Sequence, residues 1–84
     1  MIEKYVSDIA AQMGLNLSRV SVVKGRTAGR IDSHLLKMSA KSCNVSTVIY
    51  QIDLDTLEKN GDCYWLEVRV REILSRLQIM IDHN

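Results

Sequence analysis

The sequence predicts a two-layer α+β domain: a helix, a three-stranded antiparallel meander and a closing helix (αβββα). Three observations carry that prediction. Near both ends of the chain, apolar residues recur at three- and four-residue steps, the period of a helix. Between those ends they alternate, the period of a strand, and polar or glycine-bearing segments separate the stretches. A chain of 84 residues has room for one modest core, so both helical stripes are buried most economically against one face of a meander. No repeat or linker divides the chain, and residues 1–84 are expected to form a single domain.

The first helix places Ile2, Tyr5, Val6, Ile9 and Met13 on one face, with Glu3, Lys4, Ser7, Asp8, Ala11 and Gln12 on the other. Lys4 and Asp8 stand one turn apart, the spacing for a surface ion pair. Gly14 supplies the stop, and Leu15 is placed to fold back on the last turn. Val20 to Val23 is short and β-branched, which predicts a first strand ending at Lys24-Gly25. The stretch from Gly25 to Arg30 reads as a polar loop with two glycines.

A second strand follows from Ile31 to Ala40, with Leu36, Met38 and Ala40 on one side. Leu35 interrupts that alternation and leaves a short helix open there. Lys41-Ser42-Cys43-Asn44 suits a turn. From Thr47 to Leu54, Val48, Tyr50, Ile52 and Leu54 alternate with Thr47, Ile49, Gln51 and Asp53, the clearest strand period in the chain. Asp55 to Gly61 is polar and closes in a turn, with Asp62 next as a candidate helix cap.

The last segment runs to about Asp82, and Leu66, Val70, Ile73, Leu74, Leu77, Met80 and Ile81 share one broad helical face. Residues 63 to 71 also alternate, so a strand followed by a shorter helix is the competing reading. The register that continues to Ile81, and the arginine, glutamate and leucine content, favour helix throughout.

Composition narrows the functional classes. Apolar residues make up 46% and charged residues 25%, the balance of a soluble globular domain. Eleven basic against ten acidic residues leave a formal charge of +1, which argues against polyanion binding by bulk charge. A local basic patch survives that test: Lys24, Arg26 and Arg30 lie together with no acid among them. Asp53, Asp55, Glu58 and Asp62 form its acidic counterpart. No apolar run approaches the ~18–20 residues of a membrane span, and Glu3 and Asp8 break any secretory signal. A cytoplasmic chain without membrane contact is expected, with Cys43 and Cys63 as buried thiols.

No catalytic constellation emerges. His34 and His83 are the only histidines, and His83 is the penultimate residue, where chains usually fray. Asp32 and Ser33 adjoin His34 in sequence but would not face one another on a strand. Cys43, Cys63, His34 and His83 lack the close pairs that anchor a metal, so neither metal nor cofactor is expected. The Gly25–Arg30 loop lacks the Lys-Ser/Thr of a phosphate-binding loop. No enzyme and no small-molecule substrate are expected.

The stretch from Asp8 to Val23 resembles a bacterial helix-turn-helix: Ala10 would let two helices approach, Gly14 would make the turn, and Leu15, Val20 and Val23 would seat the second helix. The resemblance implies a DNA-binding transcriptional regulator with Asn16, Ser18, Arg19 and Ser21 facing the major groove. A helix ending at Gly14 and leading into a strand accounts for the same residues, and the valines favour it. The two readings divide at residues 18–24, strand in one and helix in the other.

The leading expectation is a non-catalytic macromolecule-binding module, adaptor or regulatory, that works through protein–protein contacts as a homodimer. Its candidate contacts are Lys24, Arg26 and Arg30 in the loop, with Trp65, Val68 and Ile79 on the second face of the last helix. Nucleic acid is the alternative partner.

Overall fold

The computed structural model describes residues 2–24 and 33–83. Helix α1 spans Ile2–Gln12 and buries Ile2, Val6, Ile9 and Ala10 along one stripe. Lys4 and Asp8 pair at 2.9 Å on its solvent side. The helix ends on Gly14, whose φ of 79° suits a residue without a Cβ. The Gly14 N–H donates to the Ala11 carbonyl and the Leu15 N–H to the Ala10 carbonyl at 2.8 Å, the paired bonds of a Schellman stop.

Strands β1 (Arg19–Lys24), β2 (Ser33–Ala40) and β3 (Cys43–Tyr50) form an antiparallel sheet in the order β1-β2-β3. The β2–β3 hairpin turns through Lys41 and Ser42, both at positive φ (47° and 68°), as a two-residue turn matched to the strand twist requires. Cross-strand rows Val20–Met38–Val45 and Val22–Leu36–Thr47 point into the core, with His34–Ile49 and Ala40–Cys43 beside them. The expected side of β2, with Leu36, Met38 and Ala40, is the buried one.

Helix α2 (Gln51–Asn60) buries only Leu57 and stops on Gly61, at φ 82°. Helix α3 (Tyr64–Asp82) lays Leu66, Val70, Leu74 and Leu77 on the sheet. Three longer side chains tie α1 and its exit to α3. Arg71 Nη2 donates to Gln12 Oε1 at 2.6 Å, and Gln78 Nε2 donates to the Met13 carbonyl at 2.7 Å. Tyr5 reaches the Cys63 carbonyl at 3.5 Å. Burial and the nearby Glu67 carboxylate hold the Tyr5 phenol above its ordinary pKa. Cys43 and Cys63 are both buried thiols.

The architecture is the α+β fold that the sequence predicts, with one extra helix. Four local expectations are corrected. Strand β3 starts at Cys43 and ends at Tyr50, so its core face is Cys43, Val45, Thr47 and Ile49, while Val48 and Tyr50 are exposed. Gln51 to Asn60 is helix rather than strand end and polar turn. The N-cap of α3 is Cys63, one residue beyond Asp62, while the helix favoured over the strand alternative for residues 63–71 is the one observed from Tyr64 on. Met80 is exposed, one position off the buried stripe.

The helix-turn-helix is also overturned. Arg19 to Lys24, the body of its recognition helix, is strand β1, paired residue by residue with β2 from Arg19–Ser39 to Lys24–His34. Valines at 20, 22 and 23 gain more on a pleated surface than in a helix, where their χ1 freedom is restricted.

The assignment of faces in β2 predicts unequal costs for adjacent substitutions. Leu36→Ala should destabilise by roughly 2–5 kcal/mol, a large fraction of what a domain of this size possesses. Lys37→Ala should cost under about 1 kcal/mol. Urea denaturation followed by circular dichroism checks both, and equal costs would contradict the assignment.

Candidate functional site

Among the described residues, exposed apolar side chains gather where β3 passes into α2 and where α3 begins. Tyr50 ends β3 in extended backbone (φ −110°, ψ 146°), so the chain turns sharply into α2 and sets Ile52 outward, 73% exposed. Tyr64 and Trp65 open α3 and are each 70% exposed, their rings edge to face at 5.3 Å and 74°. One turn on, Val68 is 39% exposed. The Arg69 guanidinium carbon lies 5.8 Å from the Tyr50 ring centroid, at the outer range of a cation–π contact.

Tyr50, Ile52, Asp53, Trp65, Val68, Arg69 and Glu72 line an open cleft of about 590 Å³. Its lining sets Tyr50, Ile52, Trp65 and Val68 beside charges of both signs, Asp53, Arg69 and Glu72. Nothing in this cleft pairs a nucleophile with a base.

A second depression, of about 440 Å³, lies along α2 at the same end of the sheet, lined by Ile2, Val22, Lys24, His34, Gln51, Leu54, Leu57 and Glu58. His34 is 5% exposed there. Its protonation pattern follows from a short chain of bonds. An ionised carboxylate only accepts, so the Gln51 amide nitrogen faces Asp55 Oδ1, at 2.9 Å. Gln51 Oε1 therefore faces His34, and His34 Nε2–H donates to it at 2.7 Å. With the proton on Nε2, Nδ1 is the ring's acceptor, buried and without a hydrogen bond to any described residue. A donor from solvent or from a bound group would satisfy it.

The predicted contact residues are dispersed. Trp65 and Val68 meet at the aromatic cleft. Ile79 is 59% exposed on the same outer side of α3, but eleven residues on, about 16 Å along the axis. Lys24 ends β1 beside the His34 depression, while Arg26 and Arg30 lie outside the described residues. Asn16 and Ser18 belong to the α1–β1 connection, where Ser18 Oγ donates to the Ser39 carbonyl; Arg19 and Ser21 follow on β1.

Five contributors to the cleft are not among the predicted contact residues: Tyr50, Ile52, Asp53, Arg69 and Glu72. For Ile52 and Asp53 the signal is in Leu54 and Leu57, three residues apart ahead of Gly61, which mark α2 and so turn Ile52 out of the strand. The alternation that ran on through Leu54 masked it.

Among the described residues, no three His, Cys, Asp or Glu side chains come together in a way that could hold a metal ion, and no helix is long and apolar enough to cross a membrane. Cys63 Sγ sits 3.8 Å from Asp53 Oδ1, apart from either histidine. No model of a protein family matches the chain, and neither does any curated protein or solved structure.

The bond chain at His34 predicts one tautomer. Long-range proton–nitrogen correlation at neutral pH should find the proton on Nε2, and Gln51→Leu should remove that preference. A proton on Nδ1 in the unaltered protein would contradict the arrangement.

Proposed function

We propose that this chain is a non-catalytic binding module of the cytoplasm that works through protein–protein contacts and pairs with a second copy of itself. One observation carries the reading: the cleft of Tyr50, Ile52, Trp65 and Val68 exposes aromatic and apolar area between a cation and two carboxylates. In a two-fold arrangement the same patch meets itself, so it must be complementary to itself in charge as well as in shape. Arg69 on one copy has Asp53 and Glu72 of the other as acceptors, and the apolar centre meets an apolar centre.

Tryptophan and tyrosine are the side chains most often found to dominate such contacts, because they remove large area from water at little cost in rotamer freedom. The sequence-derived expectation of a homodimer through the second face of α3 is thereby sharpened. The proposed centre moves toward the N-terminal end of the helix and recruits α2, with Ile79 at its margin.

Trp65 is the only tryptophan, so the contact carries its own reporter. Light scattering should give twice the chain mass at high concentration, and dilution should shift Trp65 emission to the red as the indole returns to water. Val68→Glu should hold the protein monomeric with unchanged helical content, and Tyr50→Ala should weaken pairing by about 10-fold or more. A monomer at millimolar concentration, with emission independent of dilution, would sink the proposal.

A further inference from the structure

The near-neutral total conceals a division of charge between the two layers. Among the described residues, the three strands and the β2–β3 turn carry four basic residues, Arg19, Lys24, Lys37 and Lys41, and no acid. The other described residues, mostly helical, have five basic residues and nine acids. An approaching polyanion is drawn to the sheet side and turned away from the helices.

The buried rows of the sheet all point toward the helices, so the alternate residues form an opposite face that no described helix covers. Three cross-strand rows follow from the register: Arg19–Ser39–Asn44, Ser21–Lys37–Ser46 and Val23–Leu35–Val48. The first two are basic and rich in hydrogen-bond donors, the third is apolar, and none carries a carboxylate. Ser39 Oγ donates to Asn44 Oδ1, which leaves the Asn44 amide hydrogens as donors. A shallow depression of about 480 Å³ runs over the first two rows.

From this face we infer a binding site for an extended single strand of nucleic acid, RNA or DNA. Such a strand presents phosphates along one side and flat, largely apolar bases along the other. The face has the matching division, with Arg19 and Lys37 for phosphates and Val23, Leu35 and Val48 for bases. Rows lie two residues apart along each strand, about 7 Å, comparable to the step between phosphates on an extended chain. A duplex is a poorer fit, since a flat sheet face offers no helix or ribbon to enter a major groove. None of the residues around the two basic rows lines the aromatic cleft, whose Tyr50 is the next residue on this face beyond Val48, and the site does not depend on pairing of the chain.

The test is fluorescence anisotropy of the full chain with labelled dT12 and U12, alongside a duplex of equal length and a poly-glutamate peptide. Saturable binding to the single strands is expected at low salt. For two phosphates neutralised, log K should fall against log salt with a slope of about −1.4. Arg19→Glu/Lys37→Glu should weaken binding at least 10-fold with the circular dichroism spectrum retained. Arg76→Glu, the same charge reversal on the helical side, should change it less than 2-fold. Val48→Ser should weaken binding and leave the salt slope unchanged.

Four results would overturn the inference: no binding at low salt, tighter binding to duplex, equal binding to poly-glutamate, or an Arg76→Glu effect as large as that of the double reversal.

Discussion

The structure depends on β2 having one wet side and one dry side. It is the central strand, hydrogen-bonded on both edges, so its alternation dictates the orientation of its neighbours. His34, Leu36, Met38 and Ala40 are buried, and Leu35, Lys37 and Ser39 face the other way. A slip of one residue would bring Lys37 and Ser39 into the core and send Leu36 and Met38 to water, so the register is strongly specified. Once it is set, the helices have one apolar floor on which to lie. Leu66, Val70, Leu74 and Leu77 of α3 then meet Val6, Ile9 and Ala10 of α1 in a single core above the sheet.

The two proposed contact surfaces are what that one-sided construction leaves over. A small domain with all its helices on one layer has two large surfaces not consumed by folding, the outer face of the helices and the open face of the sheet. The first gathers aromatic residues at the start of α3, where nothing in the fold requires Trp65 or Ile52 to be apolar. The second gathers positive charge. Acids are concentrated in the helices, so the same residues that keep the total charge near zero give the two faces opposite character. The formal charge of +1, taken alone, hides this.

The elements most legible in the sequence are those with wide buried stripes and unambiguous stops. For α1, four buried positions and Gly14 suffice; for α3, a register that persists from Leu66 to Leu77 outweighs the alternation near Trp65. The second helix was illegible because it buries one side chain, Leu57. Its Gln51–Leu54 start also continues the period of β3 by coincidence. That coincidence reversed the apparent faces of β3, since counting Ile52 and Leu54 into the strand makes Val48 and Tyr50 look buried. The cleft was legible only in part for the same reason. Trp65 and Val68 stand off the main stripe once their segment is read as helix, whereas Tyr50 and Ile52 become visible as surface residues only when the strand ends at Tyr50. The apparent recognition helix shows how a glycine stop followed by valines serves two folds, with cross-strand pairing deciding between them.

Among the described residues, the helices cover one face of the sheet and leave the other open. Relaxation of side-chain protons by an inert, soluble paramagnetic chelate measures this directly, residue by residue. Along β2 the account predicts an alternating profile: strong enhancement at Leu35, Lys37 and Ser39, and little at Leu36, Met38 and Ala40. A uniformly shielded strand, or enhancement at the opposite set of residues, would contradict it.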